Sequence, residues 1–223
     1  IKERLGAKPV PIQLPIGSED RFRGLVDLIT NKAIIYSGDD QGKREELEEI
    51  PADVAELAAK MRHDMVEAIA ETDDELTLLY LEGQELSVEE LRRALRAATI
   101  SGKLVPVLCG AALRNKGVQR MLDAIVYYLP SPLEIPPVTG TLPGQDPSAE
   151  DVELFVRPAD ENAPFTGLVF KIVADPFVGK LAYFRVYSGK LETGTYVQNT
   201  SRNQRERIGR LLQMHANHRE EIK

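Results

Sequence analysis

The sequence predicts two domains, an α/β domain with a helical insertion and an all-β domain that follows it. Before Pro130, apolar residues recur mostly every three or four positions, as in helices, and short β-rich runs lie between them. Beyond Pro147, apolar residues alternate with polar ones, as in strands. Six prolines lie from Pro130 to Pro147, which is typical of a linker between domains.

Composition and charge restrict the class of protein. The 223 residues are 43% hydrophobic and 28% charged, which is typical of a globular protein, and no apolar run approaches the roughly 20 residues of a membrane span. The net charge of −7 is unevenly distributed, because residues 39–94 hold 18 acidic and 6 basic side chains whereas residues 177–223 hold 4 and 9. We therefore expect the second segment to accept phosphate and the first to repel it, although two solvated faces of opposite sign would have the same composition.

The cysteine and histidine content argues against two kinds of stabilising site. A single cysteine, Cys109, excludes an internal disulfide framework and suits a reducing, cytoplasmic compartment. Three histidines far apart in sequence, without partner thiols, predict no metal site. The first residues, IKERLG, are typical of the end of a helix, so we expect the chain to be part of a longer protein.

Local signals define the elements of the first domain. Gly6 is expected to end the first helix, and the segment PVPIQLPI predicts an edge strand because it combines prolines with alternating apolar residues. The segment FRGLVDLITNKAIIYS predicts a hairpin that turns at residues 30–32. A short buried strand is expected at LVPVLCG, followed by an amphipathic helix, VQRMLDAIVYY, which ends before Pro130 and Pro132.

Three further helices are expected between that hairpin and LVPVLCG. Pro51 is a favourable first residue for a long helix, Gly83 ends a second one, and Ser87 with Glu90 predicts a capping box at the start of the third. The long helix has an apolar stripe at steps of three and four. The stripe consists of Val54, Leu57, Ala58, Met61, Met65 and Ile69.

The second domain is predicted to be an all-β module. Four alternating segments, FTGLVFKIVAD, KLAYFRVYSG, TYVQN and RERIGRLLQM, are typical of the strands of a barrel. Gly189 and Gly194 are expected to turn a hairpin with SGKLETG as its connection, because glycine adopts dihedral angles that other residues resist.

One segment, LVPVLCGAALRNKGVQRML, has the pattern of a ligand-binding loop. In α/β folds, ligands bind beyond the carboxyl ends of the strands, where a turn of small residues exposes the backbone. Gly110, Ala111 and Ala112 would leave their N–H groups unobstructed, and Gly117 precedes the next helix. Close packing between strand and helix is the alternative explanation for these small residues.

Three segments resemble bacterial-type elongation factor G, the translocation GTPase of the ribosome. They are PVLCGAALRNKGVQRMLDAIVYYLPSP, FKIVADPFVGKLAYFRVYSGKLETGTYV and RLLQMHANHREEI, and the resemblance covers essentially the whole chain. It implies a partial P-loop GTPase domain over residues 1–138, with an α+β insertion at about 17–103, the last guanine motif at 109–113 and a closing helix at 117–129. Residues 139–223 would then form the translation-factor-type β-barrel of domain II, without its last strands.

The resemblance also implies how this chain takes part in nucleotide binding. The parent protein would use GTP or GDP with Mg²⁺, but these residues contain no G-x-x-x-x-G-K-[ST] phosphate loop and no Asn-Lys-x-Asp guanine motif. We therefore expect no catalytic residue, no bound nucleotide and no GTP hydrolysis in this chain alone. The remaining guanine motif matches Ala111, Ala112 and Leu113, in which the backbone N–H of Ala112 would contact the base and Ala111 replaces the usual serine.

The basic side chains of the second domain are candidates for contact with ribosomal RNA, where they would bind phosphate and fix position without reading sequence. Arg185 has an alternative role, with its stem packed and its head in water, and Arg210 could instead pair with Glu206. The candidates are Lys180, Arg185, Lys190, Arg202, Arg205 and Arg207, with Arg210 as a further one.

Acidic residues of the insertion are candidates for a protein contact. Glu67, Glu71 and Asp74 follow His63 at steps of four and three, opposite the apolar stripe, on what we expect to be one helix. The resemblance implies that this insertion meets the lysine-bearing C-terminal domain of the ribosomal stalk protein. A solvated face that only keeps the domain soluble is the alternative.

The sequence therefore predicts a fragment of a ribosomal translocation GTPase, which promotes movement of tRNA and mRNA during elongation. Its expected partner is the ribosome, with tRNA and mRNA touched only by other domains and no contact with membranes. A nucleotide-free adaptor that binds RNA and protein is one alternative. A ribosomal-protection or release-factor relative of the same GTPase superfamily is another.

Overall fold

The computed structural model describes residues 2–36, 46–142, 144–146, 148–149, 152–175, 179–215 and 218–222. The chain divides into two compact units, Ile1–Pro130 and Ser131–Lys223. Among the described residues, the five α-helices all lie in the first unit, and the second unit consists of strands and loops. Parts of several predicted segments lie outside the described residues, namely 37–45 in the acidic insertion, 143 and 147 in the linker, 176–178 between two strands, and 216–217.

The chain begins with α1 (Lys2–Leu5), which ends as predicted at Gly6. Gly6 has φ +61°, and its N–H donates to the Lys2 carbonyl at 3.0 Å. The extended segment after it contains two strands, β1 (Pro9–Pro11) and β2 (Gln13–Ile16), which join different sheets. Ile12 lies at the junction, because its N–H donates to Val107 on one side and its carbonyl accepts from Leu28 on the other.

The predicted hairpin is confirmed. Strands β3 (Gly24–Asp27) and β4 (Lys32–Ile35) pair antiparallel, and the Asp27 carboxylate accepts hydrogen bonds from the N–H groups of Ile29 and Thr30 in the turn. Together with β2 and β5 (Glu46–Glu48), these strands form a four-stranded antiparallel sheet.

The helices of the predicted insertion are α2 (Ala52–Ala70), α3 (Asp74–Leu81) and α4 (Val88–Ile100). Pro51 is the N-cap of α2 and not its first helical residue, since its ψ of 140° is extended. The predicted apolar stripe is buried at Ala58, Met65 and Ile69 but wrong at Leu57, which is 50% exposed. Successive helical residues are about 100° apart, so Leu57 turns away from the core when its neighbour Ala58 faces it.

The core of the first unit brings together side chains from the antiparallel sheet and the helices. Its largest fully buried members are Ile16, Val26, Leu28, Met65, Ile69, Leu76, Leu91, Leu95 and Leu104. The capping box of α4 is confirmed, because Ser87 Oγ accepts from the Glu90 N–H at 3.2 Å and Glu90 accepts from the Ser87 N–H at 2.8 Å. The bonds from Ser87 hold the pKa of Glu90 below its usual value.

After α4, strand β6 (Val105–Val107) pairs in parallel with β1, and α5 (Val118–Tyr128) follows it. The prediction that this strand is buried is wrong, since Val105 is 39% exposed. Among the described residues, β1 and β6 form a sheet of two strands, so the strand has neighbours on one side only.

The second unit contains four separate antiparallel strand pairs among its described residues. They are β7 (Val138–Gly140) with β8 (Phe155–Arg157), β9 (Thr166–Asp175) with β10 (Gly179–Ser188), β11 (Tyr196–Asn199) with β12 (Gln204–Arg207), and β13 (Leu211–His215) with β14 (His218–Ile222). These pairs confirm an all-β unit. No closed barrel is formed by the strands described, so the barrel stays a prediction.

The hairpin predicted at Gly189 and Gly194 is wrong, because the segment between them joins strands that pair elsewhere. Strand β10 pairs with β9, and β11 pairs with β12. The two glycines bond to different parts of the chain: the N–H of Gly189 donates to the Asp160 carbonyl and that of Gly194 to the Ile208 carbonyl, both at 2.9 Å. A Cβ on Gly189 would lie 2.5 Å from the Ala163 carbonyl oxygen, so this position requires glycine.

The capping box gives a direct test of how α4 is held. Ser87→Ala removes the acceptor for the Glu90 N–H and should lower the free energy of unfolding of the first unit by about 1 kcal/mol. Urea denaturation followed through the helical circular dichroism signal measures this. Ser201→Ala, on the exposed turn between β11 and β12, is the control. An equal effect of both substitutions would contradict the assigned role of the cap.

Candidate functional site

The loop from Gly110 to Gly117 is closed by its own backbone. Ala111 and Lys116 exchange two hydrogen bonds, of 2.9 and 3.1 Å. A Cβ on Gly110 would lie 2.8 Å from the Lys116 carbonyl oxygen, and one on Gly117 would lie 2.9 Å from that of Cys109. Because both ends approach so closely, only glycine fits at either end, and the six residues between them form a compact loop.

The predicted guanine motif lies at the tip of this loop. Ala112 starts a short 3₁₀ turn that ends at Arg114, and the side chain of Leu113 is fully exposed. The prediction that Ala111 leaves its N–H unobstructed is wrong, because this N–H donates to Lys116. No described residue accepts a hydrogen bond from the N–H of Ala112, so this exposed amide can donate to a ligand.

Two buried polar side chains hold the ends of the loop. The hydroxyl of Tyr36, at the end of the β3–β4 hairpin, accepts a hydrogen bond from the Gly117 N–H at 2.8 Å. The side-chain carbonyl of Gln13, which is 7% exposed, accepts one from the Cys109 N–H at 3.2 Å. Neither residue was predicted to be part of the site. The one signal available was Gln13, a polar residue within the apolar run of β2.

Two further contacts reach the loop from the segment between β2 and β3. The Lys116 ammonium donates to the Phe22 carbonyl at 3.1 Å, and the Arg114 guanidinium pairs with Asp20 at 2.7 Å. The Arg114–Asp20 pair is largely exposed, so it contributes little to stability. We call the loop from Cys109 to Gly117, which contains the predicted guanine motif, the nucleotide loop from here on.

Cys109 lies at the base of the nucleotide loop and packs against Leu25, Ile34 and Tyr36. Burial raises the pKa of its thiol to about 11. The thiol is therefore neutral at physiological pH and forms part of the packing beneath the loop.

Two of the basic candidates, Arg205 and Arg207, lie on one face of the β11–β12 pair. Tyr196 lies opposite Arg207 and Gln198 opposite Arg205, and because side chains alternate along a strand these four residues share a face. The Arg205 guanidinium lies 4.4 Å from the centre of the Tyr196 ring. Such a contact restricts the arginine and leaves an aromatic surface beside two cations. We call this set the arginine face.

The remaining basic candidates are distributed elsewhere. Lys180 and Arg185 are exposed on β10, and Lys190 is paired with Glu161 at 3.0 Å, so its charge is partly neutralised. Arg202 is in the turn between β11 and β12, where its N–H donates to the Asn199 side chain. Their contact with RNA stays a prediction.

The opposite face of the β11–β12 pair carries an acidic side chain, Glu206. The carboxylate of Glu206 accepts a hydrogen bond from the Asn199 amide at 2.8 Å. Arg210 is exposed between β12 and β13. Because side chains alternate along a strand, Glu206 lies on the face opposite to Arg205 and Arg207.

The acidic candidates lie on two helices and not on one. Helix α2 ends at Ala70, so Asp74 is the first residue of α3. Glu67 and Glu71 are exposed, and the Glu71 carboxylate pairs with Lys8 at 2.7 Å. The prediction of a continuous helical row is therefore wrong at Asp74, because Glu71 and Thr72 form a turn there and Asp73 is the N-cap of α3.

Beside these carboxylates, Tyr80 of α3 contacts the ring of His63 of α2, with 3.4 Å between Oη and Nε2. Partial desolvation, and next the nearby carboxylates of Glu67 and Asp64, raise the pKa of Tyr80. The carboxylates of this surface thus contribute to the raised pKa of Tyr80.

Two general features of the described residues bear on function. They contain no helix long and apolar enough to cross a membrane. They also contain no group of three or more histidine, cysteine or acidic side chains placed to bind a metal ion.

Comparison with known proteins links part of the second unit to a translation factor family and the whole chain to a solved structure. Residues 164–223 match the family model for elongation factor G domain 2. The whole chain is similar to a crystal structure from Thermus thermophilus, with 29% sequence identity and a TM-score of 0.68. The similarity covers 100% of this chain but 29% of the Thermus chain, so the chain spans less than a third of that relative's length.

Proposed function

We propose that the chain belongs to the elongation factor G family and is part of a ribosomal translocation GTPase. In this proposal the whole protein hydrolyses GTP and promotes movement of tRNA and mRNA during elongation in the cytoplasm. The observation that carries the proposal is the domain 2 match over residues 164–223, which contains the arginine face. The family is one of translational GTPases that act on the ribosome.

We assign residues 1–138 to the C-terminal part of the GTPase domain, with the insertion at about 17–103, and residues 139–223 to domain II. The outer face of α5 supports the first assignment. Its apolar residues stay between 44% and 76% exposed, although Ala124 and Tyr128 on the other face are buried. The exposed residues are Met121, Leu122, Ile125, Val126 and Leu129.

The parallel β1–β6 pair supports the same assignment. Parallel strands are usually found in larger sheets covered on both faces, and a pair of strands alone is marginally stable. Here β1 and β6 pair with each other and with no other described strand. An α/β domain that continues beyond this chain would supply further strands and cover the outer face of α5.

For the nucleotide, we propose that this chain contributes the base contact alone. The Ala112 N–H can donate to an oxygen of the guanine ring, and the rest of the nucleotide loop fixes its position. The residues present do not fit the phosphates or Mg²⁺, since the sequence lacks a phosphate loop. Those parts would be held by the remainder of the GTPase domain.

For RNA, we propose that the arginine face contacts the backbone of ribosomal RNA. Arg205 and Arg207 lie on the same side of the hairpin, so they can bind neighbouring phosphates. Tyr196 adds a flat apolar surface on which a base or sugar can stack. Because Glu206 lies on the opposite face, no carboxylate of this hairpin opposes the approach of phosphate.

For the ribosomal stalk, we propose that the acidic surface of the insertion attracts a lysine-bearing domain. Glu67 and Asp74 are exposed, whereas the charge of Glu71 is partly neutralised by Lys8. Exposed charges of this kind act mainly on the association rate, and salt screens them over about 8 Å at physiological ionic strength.

The chain alone should bind nucleotide weakly. One backbone hydrogen bond to the base, without phosphate contacts, should give a dissociation constant for GDP no tighter than about 1 mM, or about 4 kcal/mol, and no GTP hydrolysis. Isothermal titration calorimetry measures the binding, with the full-length protein as the positive control. Micromolar GDP binding by the 223 residues would contradict the assignment.

The arginine face can be tested in the full-length protein. Arg205→Glu with Arg207→Glu should weaken ribosome binding about tenfold at low salt, and the salt slope of the affinity should fall by about one per arginine. The control is Arg4→Glu with Arg157→Glu, which changes the net charge equally outside the arginine face. If both double variants bind the ribosome with the same affinity at low salt, the proposed RNA contact is contradicted.

The stalk contact can be tested by stopped-flow kinetics. Glu67→Lys with Asp74→Lys should slow stalk-dependent association with the ribosome severalfold at low ionic strength and leave thermal unfolding unchanged. Glu48→Lys with Glu49→Lys is the matched control, since these residues are also exposed in the insertion. If both pairs of substitutions leave the association rate at its original value, the acidic surface is only a solvated face.

A further inference from the structure

The nucleotide loop is attached mainly to the insertion and the strand before it. Four contacts reach it across 81 to 96 residues of sequence, from Tyr36, Phe22, Asp20 and Gln13. The first three of these partners lie within the proposed insertion. The conformation of the loop therefore depends on side chains and carbonyls that are remote in the chain.

We propose that Tyr36 is a positioning residue for guanine nucleotide binding, which couples the fold of the insertion to the base contact at Ala112. This inference rests on the proposed function, because it takes Ala112 as the base contact. The hydroxyl of Tyr36 fixes Gly117, Gly117 contacts the backbone of Gly110, and Gly110 begins the closed loop that presents Ala112.

The start of α5 explains why Gly117 needs this partner. Gly117 is the N-cap of the helix, with φ +81°, and it has no side chain that could accept a hydrogen bond from the first turn. Its own N–H is one of the donors that a helix leaves without an internal partner. The Tyr36 hydroxyl satisfies that buried donor from outside the helix.

Burial distinguishes Tyr36 from the other attachment points. Tyr36 is 5% exposed, so water cannot replace its hydroxyl without rearrangement. The side chains of Arg114 and Asp20 are 52% and 93% exposed, so water readily replaces their contact. Removal of the Tyr36 hydroxyl should therefore disturb the loop, whereas neutralisation of Asp20 should not.

Alkylation of Cys109 reports on the loop without any nucleotide. The thiol is packed against Tyr36, and its raised pKa keeps it unreactive while that packing holds. Tyr36→Phe should raise the rate of reaction with iodoacetamide at pH 8 about three- to tenfold, as expected for the loss of one buried hydrogen bond. Tyr80→Phe is the control, since its hydroxyl contacts only His63 among the described partners.

Nucleotide release from the full-length protein reports on function. Tyr36→Phe should speed dissociation of a fluorescent GDP analogue about three- to tenfold and raise the KM for GTP, with kcat unchanged at saturating GTP. Asp20→Asn should leave all three quantities unchanged. A variant that merely destabilised the protein would lower the active fraction, and so kcat, and would leave KM unaltered.

The combined results distinguish the positioning role of Tyr36 from the base contact at Ala112. Faster alkylation with faster nucleotide release supports the coupling. An unchanged alkylation rate overturns the role of Tyr36. Faster alkylation with unchanged release overturns the base contact at Ala112 and so the coupling. Gln13→Leu, which removes the bond to the Cys109 N–H, is a second probe of the same loop if Tyr36→Phe folds poorly.

Discussion

The hydrogen bond between the Gly117 N–H and the Tyr36 hydroxyl joins the two parts of the first unit that matter most for its proposed role. On one side lies the antiparallel sheet, with Tyr36 directly after β4. On the other side lie the nucleotide loop and the start of α5. A buried donor without a partner would cost about 1–3 kcal/mol, so this bond constrains where the hairpin, the loop and the helix can lie.

Glycine makes the same junction possible. Gly110 and Gly117 approach each other so closely that any side chain on either would meet a backbone oxygen within 3 Å. The loop thus closes in six residues, and the amide of Ala112 is left exposed at its tip. The proposed insertion is attached to the loop that follows it in sequence, and its surface carries the acidic residues proposed to meet the stalk.

Local signals in the sequence predicted the elements well. The capping box at Ser87, the glycine stop at Gly6 and the hairpin β3–β4 each depend on residues within about ten positions of one another, which a short sequence window contains. The pairing of β10 with β9 was missed, because glycines mark a bend in the chain but do not specify which strands become neighbours. The role of Tyr36 was missed for the same reason, since its partner is 81 residues away.

The candidate site was predicted in part. The resemblance offered Ala111–Leu113 as a candidate guanine motif, and its contact with the base stays a prediction. The use of the Ala111 N–H within the loop follows from a pairing with Lys116 that only the folded chain reveals. Prediction of the arginine face likewise required the register of β11 with β12. A shift of one residue would place both Arg205 and Arg207 on the face opposite to Tyr196.

Hydrogen–deuterium exchange of the 223-residue chain tests most directly whether the insertion and the nucleotide loop behave as one unit. We predict that the Gly117 amide is protected to a similar degree as the amides of β3 and β4, and that Tyr36→Phe lowers its protection while the hairpin stays protected. Rapid exchange at Gly117 in the unmodified chain, with the β3–β4 hairpin still protected, would contradict the account.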